Sequence, residues 1–300
     1  MFEKLLLTLD GSELAEAAIP YVRDLAGQLE AEVYLLHACP PEHQAYRHMH
    51  QIYLDDMAEH LKSRIEEKYH PGRKPKIQAE VILGDPVMVI LDYIKQKSIS
   101  IAALTSHGTS GLRVWAIGSV ADKVVRRAGI PTLLIRSKEG LNVSEKKGLI
   151  QKILLPLDTS DASKTAVPYA VELAKKLKAD IILFSMVQTI YAHINDMGTG
   201  IGIGFDGASI DAANKKNTDE YLQGLESEIR KAGVEVSHTS NVGLDAAYEI
   251  LEMERNIQPD LLVMATRGRS NIARWALGSV AEKVLMEGDR PILMVKETPR

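Results

Sequence analysis

Residues 4–35 read KLLLTLDGSELAEAAIPYVRDLAGQLEAEVYL, and residues 152–183 read KILLPLDTSDASKTAVPYAVELAKKLKADIIL. The two stretches align without a gap at an offset of 148 residues, with 14 of 32 positions identical. Each begins with a short apolar run that ends at an aspartate, Asp10 or Asp158, and continues into an amphipathic pattern. This pattern predicts a β-strand followed by an α-helix, and the chain contains the unit twice.

A second pair of matching segments lies later in each half. Residues 106–125, SHGTSGLRVWAIGSVADKVV, match residues 266–285, TRGRSNIARWALGSVAEKVL, at an offset of 160. Since each half has the size of one domain, we predict a duplicated domain rather than a solenoid. The predicted domains are 1–138 and 151–300, and the polar stretch 139–150 between them is interpreted as a linker.

Composition excludes several classes of protein. The chain has 36 Lys and Arg against 40 Asp and Glu, a net charge of −4, which argues against a general affinity for nucleic acid or anionic membrane. No apolar run approaches the roughly 20 residues of a membrane span, and we expect no signal peptide. The single cysteine, Cys39, excludes an internal disulfide and suits a reducing cytosol, so we expect a cytoplasmic protein.

Strand and helix signals alternate through each half. In the first half, apolar runs at 5–9, 33–36, 77–83, 99–104 and 131–135 are separated by helical patterns. Such alternation predicts an α/β fold of two tandem doubly wound domains, each a five-stranded parallel sheet with helices on both faces. Pro20 and Pro168 interrupt the first helix of each half, where we expect a kink or an early break.

Candidate ligand-binding residues fall where the predicted strands end, because ligands of open parallel sheets bind at the carboxyl ends of the strands. The pairs Gly118-Ser119 and Gly278-Ser279 each precede a helix. A helix N-terminus offers unpaired N–H groups and a positive dipole end to an anion such as phosphate. The alternative is structural: the serine of each pair would cap that helix, and the aspartates after the first strands would cap the first helix.

The whole pattern resembles the universal stress protein family in its tandem two-domain form, over nearly all of the chain. The family's nucleotide loop has the motif G-x2-G-x9-G-[ST], whose later positions are matched by Gly108, Gly118 and Ser119 and by Gly268, Gly278 and Ser279. Thr105 and Ala265 replace the first glycine. Because threonine is β-branched and stiff while alanine adds one methyl group, we expect nucleotide binding chiefly in the second domain.

The resemblance implies a fold like that of the adenine nucleotide alpha hydrolases, with ATP or a related adenine nucleotide, with or without Mg²⁺, in the strand-end clefts. The aspartate would contact ribose or adenine, the residue after the second strand adenine, and the valine after Gly-Ser the phosphates. The residues so implied in the second domain are Asp158, Met186, Ala265, Arg267, Gly268, Gly278, Ser279 and Val280. Those in the first domain are Asp10, Ala38, Thr105, His107, Gly108, Gly118, Ser119 and Val120.

The loops between the paired glycines differ in charge. Arg267, Arg269 and Arg274 belong to the second loop, against His107 and Arg113 in the first. Guanidinium groups bind phosphate oxygens well, so this difference favours a polyphosphate in the second domain. A solvated basic loop is the alternative interpretation.

Two other motifs are interpreted as having no binding role. GIGFDG at 202–207 matches G-x-G-x-x-G, but no strand precedes it as a dinucleotide fingerprint requires, so a loop is predicted there. Cys39, His43, His48 and His50 are residue types that bind zinc, yet their spacing is not that of a zinc finger. We interpret them as the polar start of a surface helix and expect no metal site.

Three functions stay open at this point. The resemblance implies a stress-response regulatory protein in which the nucleotide shifts conformation or the choice of partner, whether an unidentified protein or a second copy in a homodimer. It also implies that the halves meet through their last strands, at 131–135 and 291–295. A slow ATPase or nucleotidyl transferase is the enzymatic alternative, for which we assign no catalytic residue. The third is a scaffold of the same fold that binds no nucleotide.

Overall fold

A computed structural model describes residues 1–69, 71–72, 74–106, 117–136, 148–189, 207–268 and 277–296. The predictions about His107, Gly108, the loop arginines at 113, 269 and 274, the linker and the GIGFDG loop fall wholly or partly outside these residues. The described chain forms two compact units. One takes in Met1–Ile150 together with the stretch that begins at Asp289, and the other is drawn from Gln151–Gly288.

The first unit contains all five strands of the first repeat. These are β1 (Lys4–Thr8), β2 (Glu32–Cys39), β3 (Ile77–Leu83), β4 (Ile101–Thr105) and β5 (Thr132–Ile135). Its helices are α1 (Glu13–Glu16), α2 (Ile19–Leu29), α3 (Arg47–Tyr69), α4 (Pro86–Lys97) and α5 (Ser119–Arg127), with a 3₁₀ helix at Pro41–Tyr46. Strands β4 and β5 are buried along their whole length, which explains why they read as uninterrupted apolar runs.

The strands of the first unit run parallel in the order β3-β2-β1-β4-β5. Leu5 on β1 therefore lies between Val33 on β2 and Ile101 on β4. The order reverses between β1 and β4, so a crevice forms at the carboxyl ends of these two strands. Strand β10 (Ile292–Val295) pairs with β5 in the antiparallel direction. The expected meeting of the last strands of the two repeats is thereby confirmed.

Helices cover both faces of this sheet, as predicted. Helices α2 and α3 pack on each other and on strands β1 to β3, whereas α4 packs on β2 and on α5. The apolar stripes of α2 and α4 supply buried side chains such as Leu25 and Ile90. None of the described helices is both long and apolar enough to cross a membrane.

The second unit repeats the arrangement. Its elements are β6 (Lys152–Pro156), α6 (Asp161–Lys164), α7 (Val167–Leu177), β7 (Asp180–Gln188), α8 (Gly207–Lys231), β8 (Val236–Gly243), α9 (Ala246–Ile257), β9 (Leu261–Ala265) and α10 (Ser279–Glu287). Its strands run parallel in the order β9-β6-β7-β8, which matches β4-β1-β2-β3 of the first unit. The predicted tandem, doubly wound α/β fold is confirmed.

The first helix of each repeat breaks where the prolines predict. Helix α1 ends at Glu16 and α2 begins at Ile19, with Pro20 in the first turn of α2. Helices α6 and α7 divide in the same way at Pro168. Proline has no N–H to continue a helix, but it fits a first turn, where that N–H is unpaired anyway. The break leaves a one-turn helix directly after the first strand of each repeat.

Candidate functional site

Each unit has a cleft at the carboxyl ends of its strands, where the sheet order reverses. The first cleft has a volume of about 430 Å³ and the second about 250 Å³. All eight residues predicted in the second domain line the second cleft. The first cleft is lined by Asp10, Ala38, Thr105, Gly118, Ser119 and Val120. His107 and Gly108, the other two predicted there, lie outside the described residues.

The aspartate after the first strand orients the helix that follows it. Asp10 Oδ1 accepts hydrogen bonds from the Ser12 N–H (3.0 Å) and hydroxyl (2.6 Å), and Asp158 Oδ1 accepts the same two from Ser160 (3.0 and 2.5 Å). Each serine hydroxyl in turn accepts a helix N–H at 3.1 Å. The helix cap is therefore the serine, and the interpretation of the aspartates as caps is wrong.

The last helix of each repeat begins at the serine, and the glycine before it is the N-cap. Gly118 and Gly278 are the N-cap residues of α5 and α10, and no side chain caps either helix. The expectation that Ser119 or Ser279 caps is wrong, because each serine is already the first helical residue. Both serines are exposed at the cleft, where the first N–H groups of the helix have no partner within the helix.

A backbone hydrogen bond ties each helix start to the strand beside it. The Gly118 N–H donates to the Ser106 carbonyl (2.7 Å), and the Gly278 N–H donates to the Thr266 carbonyl (2.9 Å). The free N–H groups of the first helical turn are thereby held beside the end of the strand. A preformed group of N–H donors at a helix N-terminus is suited to an anion.

The second cleft has a cationic side chain near this helix start. Arg267 is half-buried in the cleft lining, next to Gly268. The Gly268 backbone lies so close to Asp158 that a Cβ atom at position 268 would overlap the carboxylate. Glycine is needed here for close approach, and one end of the cleft combines a guanidinium with helix N–H groups.

The second cleft is also lined by apolar side chains. Phe184, Met186, Ile250 and Met264 line it. In the first cleft, Ala38 takes the place of Met186, and Thr105 takes the place of Ala265. The larger methionine side chain agrees with the smaller volume of the second cleft.

Both halves of the chain match the sequence model of the Universal stress protein family, over residues 1–136 and 149–296. The chain belongs to the universal stress protein family. A universal stress protein of Methanocaldococcus jannaschii is 31% identical over 153 residues, which are 50% of this chain and 85% of the relative. One of Mycobacterium tuberculosis is 21% identical over 306 residues and covers 98% of this chain and 96% of its own.

A solved structure supports the fold over the full length. The crystal structure of a universal stress protein from Archaeoglobus fulgidus aligns with 99% of this chain and 99% of its own, with a TM-score of 0.67 and 22% identity. The tandem arrangement of two universal stress protein domains is therefore shared with a protein of known structure.

In this universal stress protein, the helix after the third strand also lines each cleft, a feature that was not predicted from the sequence. The residues concerned are Pro86 and Ile90 on α4 and Ala246 and Ile250 on α9. A signal for these helix starts was present, because Asp85 and Asp245 precede them as N-caps. An N-cap residue does not show that the helix lies beside the cleft, because that position depends on tertiary packing.

A half-buried tyrosine near the aspartate was missed in both repeats. The Tyr53 hydroxyl donates to Glu16 Oε1 (2.8 Å), and burial raises the pKa of Tyr53. The Tyr221 hydroxyl is buried with no hydrogen-bond partner in the described part of the chain. Its ring lies under the Lys164 ammonium, 5.1 Å from the ring centroid, and burial together with the charge of Asp158 raises its pKa to about 12.

The cysteine and histidine cluster is arranged differently from the prediction. His43 and His48 are exposed on the 3₁₀ helix and on α3, as expected for the polar start of a surface helix. Cys39 instead lies fully buried at the end of β2, so its assignment to that surface segment is wrong. His37, which the sequence analysis did not single out, lines the first cleft together with His43 and His50.

Proposed function

We propose that this universal stress protein is a stress-response regulatory protein that binds ATP or a related adenine nucleotide in the cleft of the second unit. The observation that carries the proposal is the mixed chemistry of that cleft. Its lining combines a helix N-terminus and Arg267 with apolar side chains. A nucleotide has a matching combination, since its phosphates are anionic and its base has apolar faces.

The described residues of the cleft include suitable partners for the phosphates, the ribose and the base of a nucleotide. The first N–H groups of α10, including that of Val280, and the Ser279 hydroxyl are suited to phosphate oxygens, and Arg267 supplies the counter-charge. Asp158 follows β6 and lines the cleft, where its carboxylate is suited to accept a hydrogen bond from a ribose hydroxyl. Met186 and Ile250 are suited to pack on the base.

Regulation requires that the nucleotide bind one conformation more tightly than another, since a ligand with equal affinity for both shifts nothing. The output would then be a change in an interaction with another protein or with a second copy of this chain. These partners remain predictions, as does the alternative of slow hydrolysis.

The first test is to denature freshly purified protein and identify any released nucleotide by chromatography with mass detection. We expect about one equivalent of an adenine nucleotide per chain. Protein that carries none is then titrated with ATP and Mg²⁺ while its melting temperature is followed, because a ligand of the folded state raises that temperature. If neither measurement detects an adenine nucleotide, the proposal is wrong.

A matched pair of variants assigns the site to one unit. Asp10→Ala and Asp158→Ala each remove an acceptor of the same two serine hydrogen bonds, so their cost to folding should be similar. We expect Asp158→Ala to lose the nucleotide and Asp10→Ala to keep it. Equal loss in both variants would contradict the assignment to the second unit.

A further inference from the structure

Three side chains with metal-binding atoms converge at the carboxyl end of β2 in the first unit. His37 and Cys39 are two residues apart on this strand, so their side chains leave the sheet on the same face. Helix α3 packs on β2 and brings His50 beside them. One candidate ligand atom from each residue lies within 4.8 Å of the other two.

The imidazole of His37 is fixed in one tautomer. Its Nδ1 lies 2.8 Å from the Leu9 carbonyl oxygen, and because a carbonyl only accepts, Nδ1 must carry the hydrogen and donate it. The lone pair of Nε2 is then available to bind a metal ion. A histidine that donates its other ring N–H to a backbone carbonyl is the usual arrangement at protein metal sites.

We propose that His37, Cys39 and His50 bind one zinc ion, with the fourth coordination position open to the cleft of the first unit. One thiolate and two imidazoles form a ligand set of intermediate softness, which Zn²⁺ prefers over the oxygen-rich sets that Mg²⁺ and Ca²⁺ require. His37 and His50 both line the cleft, so an ion held by them is reached from its open side. Binding releases the Cys39 proton to solvent, because the thiolate is the ligand.

The geometry requires a small rearrangement. Bonds of roughly 2.0–2.3 Å in a tetrahedral site place ligand atoms about 3.3–3.8 Å apart, so separations of up to 4.8 Å must shorten by at most about 1–1.5 Å. The rings of His37 and His50 are stacked, with centroids 4.1 Å apart and planes at 19°. Two parallel rings cannot direct in-plane lone pairs at one ion, so the His50 ring must turn. His50 is only half-buried, which leaves it room to do so.

Among the described residues of the second unit, this cluster has no copy. Ser185 and Val187 occupy the positions 148 residues after His37 and Cys39. Tyr221 corresponds to Tyr53, and His50 lies three residues before Tyr53. The equivalent position in the second unit, three residues before Tyr221, is Thr218. The proposed site therefore belongs to the first unit alone and does not depend on the nucleotide proposed for the second.

The test is zinc binding by the whole chain under reducing conditions. Purified wild-type protein is loaded with Zn²⁺, dialysed and analysed for metal content, and its affinity is measured by competition with a chromophoric chelator. We expect one tightly bound ion per chain in the wild type. His50→Ala should weaken binding by at least roughly tenfold, as does loss of a group that supports a metal site. His48→Ala, an exposed histidine on the same helix, serves as the control and should bind as the wild type does.

Co²⁺ loading reports the thiolate separately. A sulfur-to-cobalt charge-transfer band should appear in the wild type and in His48→Ala, and it should be absent from Cys39→Ala. Circular dichroism checks that Cys39→Ala, in which a buried side chain is shortened, is still folded; if it is not, His50→Ala decides the question. Equal zinc affinity in the wild type and His50→Ala, or a cobalt spectrum without the sulfur band in the wild type, would overturn the proposal.

Discussion

The two clefts share a backbone framework and differ in the side chains that line it. In both, an aspartate accepts two hydrogen bonds from the serine two residues later, and a glycine N–H ties a helix start to the neighbouring strand. The first cleft carries His37 and His50, whereas Met186 and Arg267 line the second. Duplication has kept the contacts that position the helix N-termini, while the residues that would select a ligand have diverged.

The largest effect is expected from closing the second cleft. In Gly268→Ala the added methyl group overlaps the Asp158 carboxylate, and such overpacking costs about 1–3 kcal/mol. We expect ATP binding by the second unit to weaken by roughly ten- to a hundredfold, since about 1.4 kcal/mol is tenfold. Isothermal titration calorimetry measures the change.

Gly224→Ala is the control for this substitution. Gly224 lies inside α8 of the same unit, with nothing within 4 Å of an added Cβ. We expect unchanged ATP affinity and a gain in stability of about 0.5–1 kcal/mol, because alanine is the better helix former. An unaltered affinity in Gly268→Ala would remove this glycine from the proposed site.

The charge difference between the clefts is tested by Arg267→Gln. Loss of a hydrogen bond to a charged group costs about 1.5–3 kcal/mol, so ATP affinity should fall by at least roughly tenfold. The affinity of the variant should also depend less on salt, because one charge that salt screens has been removed. Arg255→Gln, an exposed arginine on α9, should change neither quantity. Equal losses in the two variants would point to a general effect of net charge.

Tyr53 and Tyr221 allow the two units to be compared by the free energy of unfolding. Tyr53→Phe removes the hydrogen bond to Glu16 and should lower the free energy of unfolding by about 1 kcal/mol. Tyr221→Phe removes a buried hydroxyl that has no partner among the described residues, so it should be neutral or stabilising. Urea unfolding of each variant gives the two values. A destabilised Tyr221→Phe would mean that this hydroxyl makes an interaction the structure does not contain.

The smallest effect concerns a surface ion pair found in the second unit. Lys283 donates to Asp245 at 2.7 Å and holds the pKa of that carboxyl below its ordinary value. A lowered folded-state pKa stabilises the protein above the unfolded pKa of about 3.9, and the stabilisation is lost as pH falls through the folded-state value. Lys283→Ala should therefore be slightly less stable than the wild type at pH 7, and the difference should shrink as the pH is lowered below about 3.9.

Lys123→Ala is the matched control in the first unit. Lys123 lies 160 residues before Lys283, and within the described ranges it forms no ion pair with Asp85, the counterpart of Asp245. We expect no pH-dependent change in this variant. If both lysine variants lose stability equally at pH 7, helix propensity rather than the ion pair explains the loss.

Much of the fold could be predicted because the sequence contains the same pattern of strand and helix signals twice. The apolar runs, the breaks at Pro20 and Pro168 and the glycines before α5 and α10 are local signals that the structure confirms. Local signals also located the candidate cleft residues, because strand ends of a parallel sheet meet at one edge.

The remaining features depend on contacts that no local pattern encodes. Asp10 and Ser12 both have side chains that can cap a helix. The conformation of the short turn that contains them decides that Ser12 caps α1. The neighbourhood of His37, Cys39 and His50 arises only when α3 packs on β2. Cys39 was misassigned because the exact end of β2 lies at the limit of what apolar patterning resolves.

The pairing of β5 with β10 has a consequence for synthesis on the ribosome. The residues of β10 follow their partners on β5 by 158 to 162 positions. At translation rates of roughly 5–20 residues per second, β5 waits about 8–30 seconds for this partner. Throughout that interval the nascent chain displays an apolar strand edge, which is a template for wrong pairing with another chain. Chaperones that cover this strand edge, or slowly translated codons before β10, would then influence the yield of native protein.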